Sequence, residues 1–129
     1  MPDPVQPALI VRPCFQHDLE AVQLIYAHHV LTGFGSFEVE PPSLEQMTER
    51  WSRVVTNQWP FVVASPASDL TRVFGFAYAQ PFRDRPAYAR TFENSVYVAP
   101  NAMRRGVGLA LMAELLTHCL LYTSPSPRD

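Results

Sequence analysis

The densest chemistry in the chain lies in Arg104-Arg105-Gly106-Val107-Gly108-Leu109-Ala110, between a strand-like run and an apolar helical run. Glycines at a helix start let the backbone come close to a ligand. The first-turn amides have no acceptor within the helix and point the same way as its positive end, which suits a phosphate or pyrophosphate. The arginine pair adds charge. The same residues also read as a glycine-rich strand-to-helix turn with a solvated arginine pair. This is not a P-loop, because no Gly-Lys-Ser/Thr follows, and it is a poor dinucleotide fingerprint, because Leu111 stands at the third glycine position.

Glu93 is the second feature. A carboxylate on an apolar strand, two residues before Ser95-Val96-Tyr97-Val98, is costly unless paired or wet. It reads either as an exposed strand glutamate or Arg90 partner, or as a base beside a cleft. His28 and His29 are neighbours on a helix and point different ways, so they cannot share a metal, and no Cys/His spacing resembles a zinc site. The expectation is no metal. Cys14 and Cys119 read as buried thiols, and Trp51 and Trp59 as core aromatics.

The elements that must hold these residues follow from spacing and breakers. A first strand is predicted at 8–12, closed by Pro13. A helix follows from about Asp18 to Val30, with Leu19, Val22, Tyr26 and His29 on one face and Asp18 and Glu20 in the first turn. A second helix starts after Pro41-Pro42-Ser43, where Ser43 and Gln46 match a capping box, and presents Leu44, Met47, Trp51 and Val54 before ending near Thr56-Asn57. Strands are predicted at 61–64, 73–79 and 91–98. The second of these is stopped by Pro81, and an arginine-rich loop fills 82–90. The last helix begins at Gly106–Gly108 and runs to about Cys119. The order β-α-α-β-β-β-α predicts an α/β (α+β) fold with a mostly antiparallel sheet flanked by helices.

Composition narrows the classes. The chain has 129 residues, 47% hydrophobic and 17% charged, which predicts one globular domain. A formal net charge of −2 gives no reason to expect a nucleic-acid or anionic-membrane partner. No apolar run approaches the ~20 residues of a membrane span, and residues 1–7 do not read as a signal peptide. Two cysteines make no disulfide framework, which predicts a reducing, cytoplasmic home. All ten basic residues are arginine, a bias to which no function is attached.

Longer strings carry a resemblance. Ile10-Val-Arg-Pro, Ser36-Phe37-Glu38-Val-Glu40-Pro41, Trp59-Pro60-Phe-Val-Val-Ala and Gly75-Phe-Ala-Tyr78-Ala-Gln-Pro81-Phe are among them. Arg85-Pro-Ala-Tyr88, Glu93-Asn-Ser-Val-Tyr-Val98 and the Arg-Arg-Gly-Val-Gly-Leu turn complete the set. Over most of 9–119 the chain resembles the GNAT superfamily of N-acetyltransferases, and within it the phosphinothricin and methionine sulfone/sulfoximine acetyltransferase family. The resemblance implies a GNAT fold and transfer of acetyl from acetyl-CoA to the primary amine of a small amino-acid-like substrate. It implies roles residue by residue. Val96, Tyr97 and Val98 would align the pantetheine arm through their backbones, and amides from Arg104, Arg105, Gly106, Val107, Gly108 and Leu109 would hold the pyrophosphate. Glu93 would be the general base, and Phe37, Tyr78, Arg83 and Tyr88 would shape the acceptor pocket. Met103 departs from the Gln or Arg that the family prefers there.

The matching text stops near Cys119. The expectation is therefore an incomplete acetyltransferase domain over 1–119 and a non-native tail over 120–129, inactive as it stands and a homodimer at full length. The other readings are a non-catalytic acyl-CoA-binding or dimerising remnant, and an acetyltransferase acting on protein N-termini or an antibiotic.

Overall fold

The computed structural model describes residues 8–33, 40–81, 92–103 and 106–123. Seven elements follow in chain order: β1 (Leu9–Pro13), α1 (Leu19–Thr32), α2 (Leu44–Thr56), β2 (Phe61–Pro66), β3 (Gly75–Pro81), β4 (Phe92–Val98) and α3 (Val107–Thr123). The strands form one antiparallel sheet in the order β1-β2-β3-β4. The expected element order and sheet type are therefore present.

Each helix has a local reason. Ser43 and Gln46 form a reciprocal capping box at α2: the Gln46 amide donates to Ser43 Oγ at 3.1 Å, and the Ser43 amide donates to Gln46 Oε1 at 2.9 Å. Gly33 ends α1 in the left-handed region, φ 76°, with its N–H turned back to the His29 and Val30 carbonyls. Met47 and Val54 are buried beneath α2, while Leu44, expected on the same face, is exposed because it lies in the opening turn. The half-buried Trp51 donates its indole N–H to the Cys14 carbonyl at 3.0 Å, tying α2 to the end of β1.

Several boundaries differ from the sequence expectation. Asp18 is not in the first turn of α1. It lies in a preceding 3₁₀ turn, Gln16–Asp18, where its carboxylate is buried and receives both terminal nitrogens of Arg12, at 2.8 and 2.9 Å. As the N-cap of α1 it keeps its place at the positive helix end and gains an ion pair with β1. β2 runs on to Pro66, and β3 begins at Gly75 rather than Val73, because a turn held by Asp69 keeps the chain until Arg72. β3 also includes Pro81. α3 runs four residues past Cys119, through Thr123, since no glycine or proline interrupts it before Pro125.

The two faces of the sheet are covered differently. Tyr26 of α1 meets Phe76 and Tyr97 edge-on at 6.4 and 5.0 Å, so these side chains face α1 and α2. Strand alternation sends Gly75 and Ala77 to the other face, under α3. A Cβ on Gly75 would lie 2.8 Å from the Tyr97 carbonyl and within 3.1 Å of Val107 and Leu111. The missing side chain lets α3 pack directly on β3, with Val107, Leu111 and Leu115 buried. β2 is buried along its whole length, as a central strand covered on both sides must be.

Candidate active site

The register of β3 and β4 sets the site. Phe76 pairs with Tyr97, Tyr78 with Ser95 and Gln80 with Glu93, so all six side chains share the α1/α2 face. Glu93 is exposed at the far end of this row. It is not a lone carboxylate, because Gln80 Nε2 donates to its Oε1 at 3.4 Å. Tyr78 is half-buried over Phe61, their rings stacked at 5.1 Å. Burial, above all, pushes the Tyr78 and Tyr97 phenols above their ordinary range, although a hydrogen bond between each phenol oxygen and the Ser95 hydroxyl works the other way. Both therefore remain neutral hydrogen-bonding groups at physiological pH.

Between this row and the helices lies a cleft of about 280 Å³. Its floor is Phe61, Phe76 and Tyr78, and Gln80 separates it from Glu93. Tyr26, Arg50 and Arg53 supply its polar groups. The guanidinium of Arg50 lies over the Tyr26 ring, 5.9 Å from its centre.

β4 is the last strand of the described sheet, and its outer edge pairs with no strand among the described residues. The Ala99 amide turns inward to the Phe74 carbonyl at 2.8 Å. The Val98 carbonyl meets His29 Nε2 of α1 at 3.0 Å. A carbonyl only accepts, so His29 carries its proton on Nε2 there. Alternation along an antiparallel ladder then turns the peptide groups of Val96 and Val98 toward the free edge and those of Tyr97 toward β3. Beyond β4, a 3₁₀ turn, Pro100–Ala102, leads to α3. Gly106 has φ 77°, which favours glycine, and its carbonyl accepts the Ala110 amide at 3.0 Å. The amides of Val107, Gly108 and Leu109 have no acceptor inside the helix. Among the described residues, Val98 alone comes within 4 Å of a Cβ placed on Gly108.

The structure thus brings Glu93, Tyr78, Val96, Tyr97 and Val98 onto one strand pair and puts Gly106, Val107, Gly108 and Leu109 at the adjoining helix start. Phe37, Arg83, Tyr88, Arg104 and Arg105, and Arg90 as a partner of Glu93, lie outside the described residues. Sequence reasoning missed Arg50, Gln80 and the His29 contact. Arg50 had a visible signal, since the spacing 47, 50, 54 puts it on the buried stripe of α2, where an arginine is out of place.

A second cleft, about 430 Å³, includes Arg12, Cys14, Trp59, Glu114 and His118. Its polar groups serve the fold. Arg12 holds Asp18, Glu114 meets His118 at 3.2 Å, and burial, with Asp18 nearby, pushes the Cys14 thiol up to about 12. Among the described residues no cluster of three or more His, Cys, Asp or Glu could hold a metal, and no helix is long and apolar enough to cross a membrane.

The sequence pattern of the acetyltransferase (GNAT) family matches residues 22–122, and the chain belongs to that family. It is 43% identical over 112 residues to the phosphinothricin N-acetyltransferase of Alcaligenes faecalis, covering 87% of this chain and 55% of that protein. It superposes with TM-score 0.81 and 37% identity on a GNAT superfamily phosphinothricin acetyltransferase from Sinorhizobium meliloti, solved in complex with AcCoA, over 88% of this chain and 60% of that one. A ribosomal-protein-alanine N-acetyltransferase from Brucella melitensis superposes with TM-score 0.82 at 28% identity, over 88% of this chain and 68% of that one. The chain spans a little over half the length of the A. faecalis protein.

Proposed function

We propose that the protein transfers acetyl from acetyl-CoA to the primary amine of a small amino-acid-like acceptor of the phosphinothricin or methionine sulfone/sulfoximine type. The observation that carries this reading is the course of β4. It begins with an exposed carboxylate beside an aromatic cleft, continues as a free edge, and leads to an open helix N-terminus. The geometry suits acetyl-CoA. The outward peptide group of Val96 and the outward N–H of Val98 match the amides of an extended pantetheine arm, and Gly106, Val107, Gly108 and Leu109, with Arg104 and Arg105, suit the pyrophosphate.

Bound acetyl-CoA supplies the acetyl group as a thioester. Glu93 takes the proton of the acceptor ammonium, through water, so that the neutral amine attacks the thioester carbonyl directly; the C–S bond then breaks, CoA leaves as its thiolate, and the nitrogen gives up its remaining extra proton to solvent. Outward N–H groups of β4 stabilise the charge that develops on the carbonyl oxygen. Tyr78, with Phe37, Arg83 and Tyr88, shapes the acceptor pocket. A reducing cytoplasm and a homodimer complete the reading. The test is release of CoA thiol over a panel of amines, with the acetylated product identified by mass spectrometry. Acetylation of phosphinothricin or methionine sulfone supports it. Binding of acetyl-CoA with no transfer to any amine, also in a chimera carrying the C-terminal portion of the A. faecalis relative, overturns it.

A further inference from the structure

β4 ends at Val98, and the backbone there divides. The Ala99 amide turns inward to the Phe74 carbonyl at 2.8 Å. The pairing of Gly75 with Val98 and of Phe76 with Tyr97 puts the Val98 peptide group on the outward side of the ladder. Its N–H keeps that direction, but its carbonyl is taken by His29 of α1, which donates from Nε2 at 3.0 Å. The donor is itself restrained. The half-buried His29 ring stands edge-on to Tyr97, 5.3 Å between centres, and Tyr97 stands edge-on to Tyr26 of α1 at 5.0 Å.

Val98 is also where β4 meets α3. A Cβ on Gly108 would lie 3.6 Å from Val98 Cγ2. The amides of Val107, Gly108 and Leu109, which have no acceptor within the helix, therefore open beside the end of the strand. An outward carbonyl at Val98 would set the negative end of a peptide dipole beside these donors, where it repels an anion. With that oxygen drawn to α1, the Val98 N–H and the first-turn amides remain as donors between the strand edge and the helix.

We propose that His29 is a positioning residue for acetyl-CoA. By holding the Val98 carbonyl toward α1, it keeps a backbone oxygen away from the pyrophosphate where the ligand passes from β4 to α3. This rests on the acetyltransferase reading and adds to it a residue on α1 that acts through Val98 and takes no part in proton transfer.

The test is titration calorimetry of the 129-residue protein with acetyl-CoA, with melting curves recorded alongside. His29→Met keeps much of the bulk and removes the donor, whereas His29→Gln offers an amide nitrogen at the same distance along the side chain. His29→Met is expected to weaken acetyl-CoA binding roughly 3- to 10-fold, about the worth of one hydrogen bond, and His29→Gln to restore most of it. ADP, which carries a pyrophosphate without the pantetheine arm, is titrated by NMR with the Gly108 amide as reporter and should show the same loss. In the wild type, the His29 Nε2–H signal should persist when acetyl-CoA is added, a measurement that carries the test if His29→Met fails to fold. Wild-type affinity in His29→Met overturns the proposal. So does equal loss in both variants, since a purely structural role follows the melting temperature and not the donor. It is also overturned if ADP binding is indifferent to the substitution, or if acetyl-CoA displaces the His29 hydrogen bond. A wild-type protein that binds no acetyl-CoA and acetylates no amine removes the acetyltransferase reading itself, and this inference with it.

Discussion

In the proposed reaction Glu93 accepts a proton and then releases it to water, and its position fits that cycle. It is exposed and bonded to the neutral amide of Gln80, which lines the aromatic cleft. Glu93→Gln should lower kcat by roughly 10²–10⁴ near pH 7, the range of a lost general base. The deficit should shrink as pH rises and the acceptor amine loses its own proton. A pH–rate profile of the chimera carrying the relative's C-terminal portion checks this, and near-wild-type turnover at pH 7 would remove Glu93 from the mechanism. Cys14 behaves in the opposite way. Burial pushes its thiol up to about 12, so it stays protonated and shielded at any physiological pH. Iodoacetamide at pH 8 should leave Cys14 unlabelled in the folded protein and label it in urea, as read by peptide mass spectrometry.

At the scale of elements, the Arg12–Asp18 pair joins β1 to the start of α1. Burial alone would raise the Asp18 carboxyl, but the Arg12 hydrogen bonds, the Phe15 amide and neighbouring charges outweigh it and hold it below its ordinary value. The pair is nearly dry at Asp18 and partly covered at Arg12. Removing one partner leaves the other without compensation, so Asp18→Asn should cost about 3 kcal/mol at pH 7, measured by urea unfolding. A carboxyl depressed in the folded state contributes its stability in full above the unfolded value of about 3.9. That contribution is lost as pH falls through the folded value. The gap between wild type and Asp18→Asn should therefore be constant from pH 5 to 7 and close below roughly pH 4. A gap independent of pH would mean that the charge of Asp18 plays no part.

Across the whole molecule the sheet is covered unequally. α3 buries Val107, Leu111 and Leu115 against the sheet but presents Leu109, 78% exposed, and Leu116, 49% exposed, on its outer side, with Met103 exposed nearby. The free edge of β4 lies beside it in the same described fold. Exposed apolar surface next to an open strand edge favours association. The 129-residue chain should bind a hydrophobic dye and sediment as mixed oligomers. Leu109→Gln with Leu116→Gln should reduce both effects while shifting stability by only about 0.5 kcal/mol per site. Unchanged dye binding in the double variant would show that another surface is responsible.

Much of this was legible along the chain. The capping box at Ser43, the turn at Gly106, the alternating strands and the glutamate ahead of Val96 to Val98 are local features. Each depends on backbone sterics or side-chain period within a few residues. The sequence by itself therefore determined the element order, the antiparallel sheet and the strand-turn-helix that suits a nucleotide pyrophosphate. Tertiary structure decided what meets across distance. Asp18, which reads locally as a helix-start acid, stands one residue ahead of α1 as its N-cap, and only the fold brings it the two hydrogen bonds from Arg12 on β1. His29 reads as a weak feature until α1 brings it to the Val98 carbonyl. Arg50 breaks an apolar stripe on α2, yet its cleft exists only once the register sets Tyr78 and Gln80 opposite Ser95 and Glu93. Periodicity tells which side of an element is buried. The identity of the residue across the gap depends on strand register and on the layers packing together, and those are settled only when the whole chain buries its apolar surface at once.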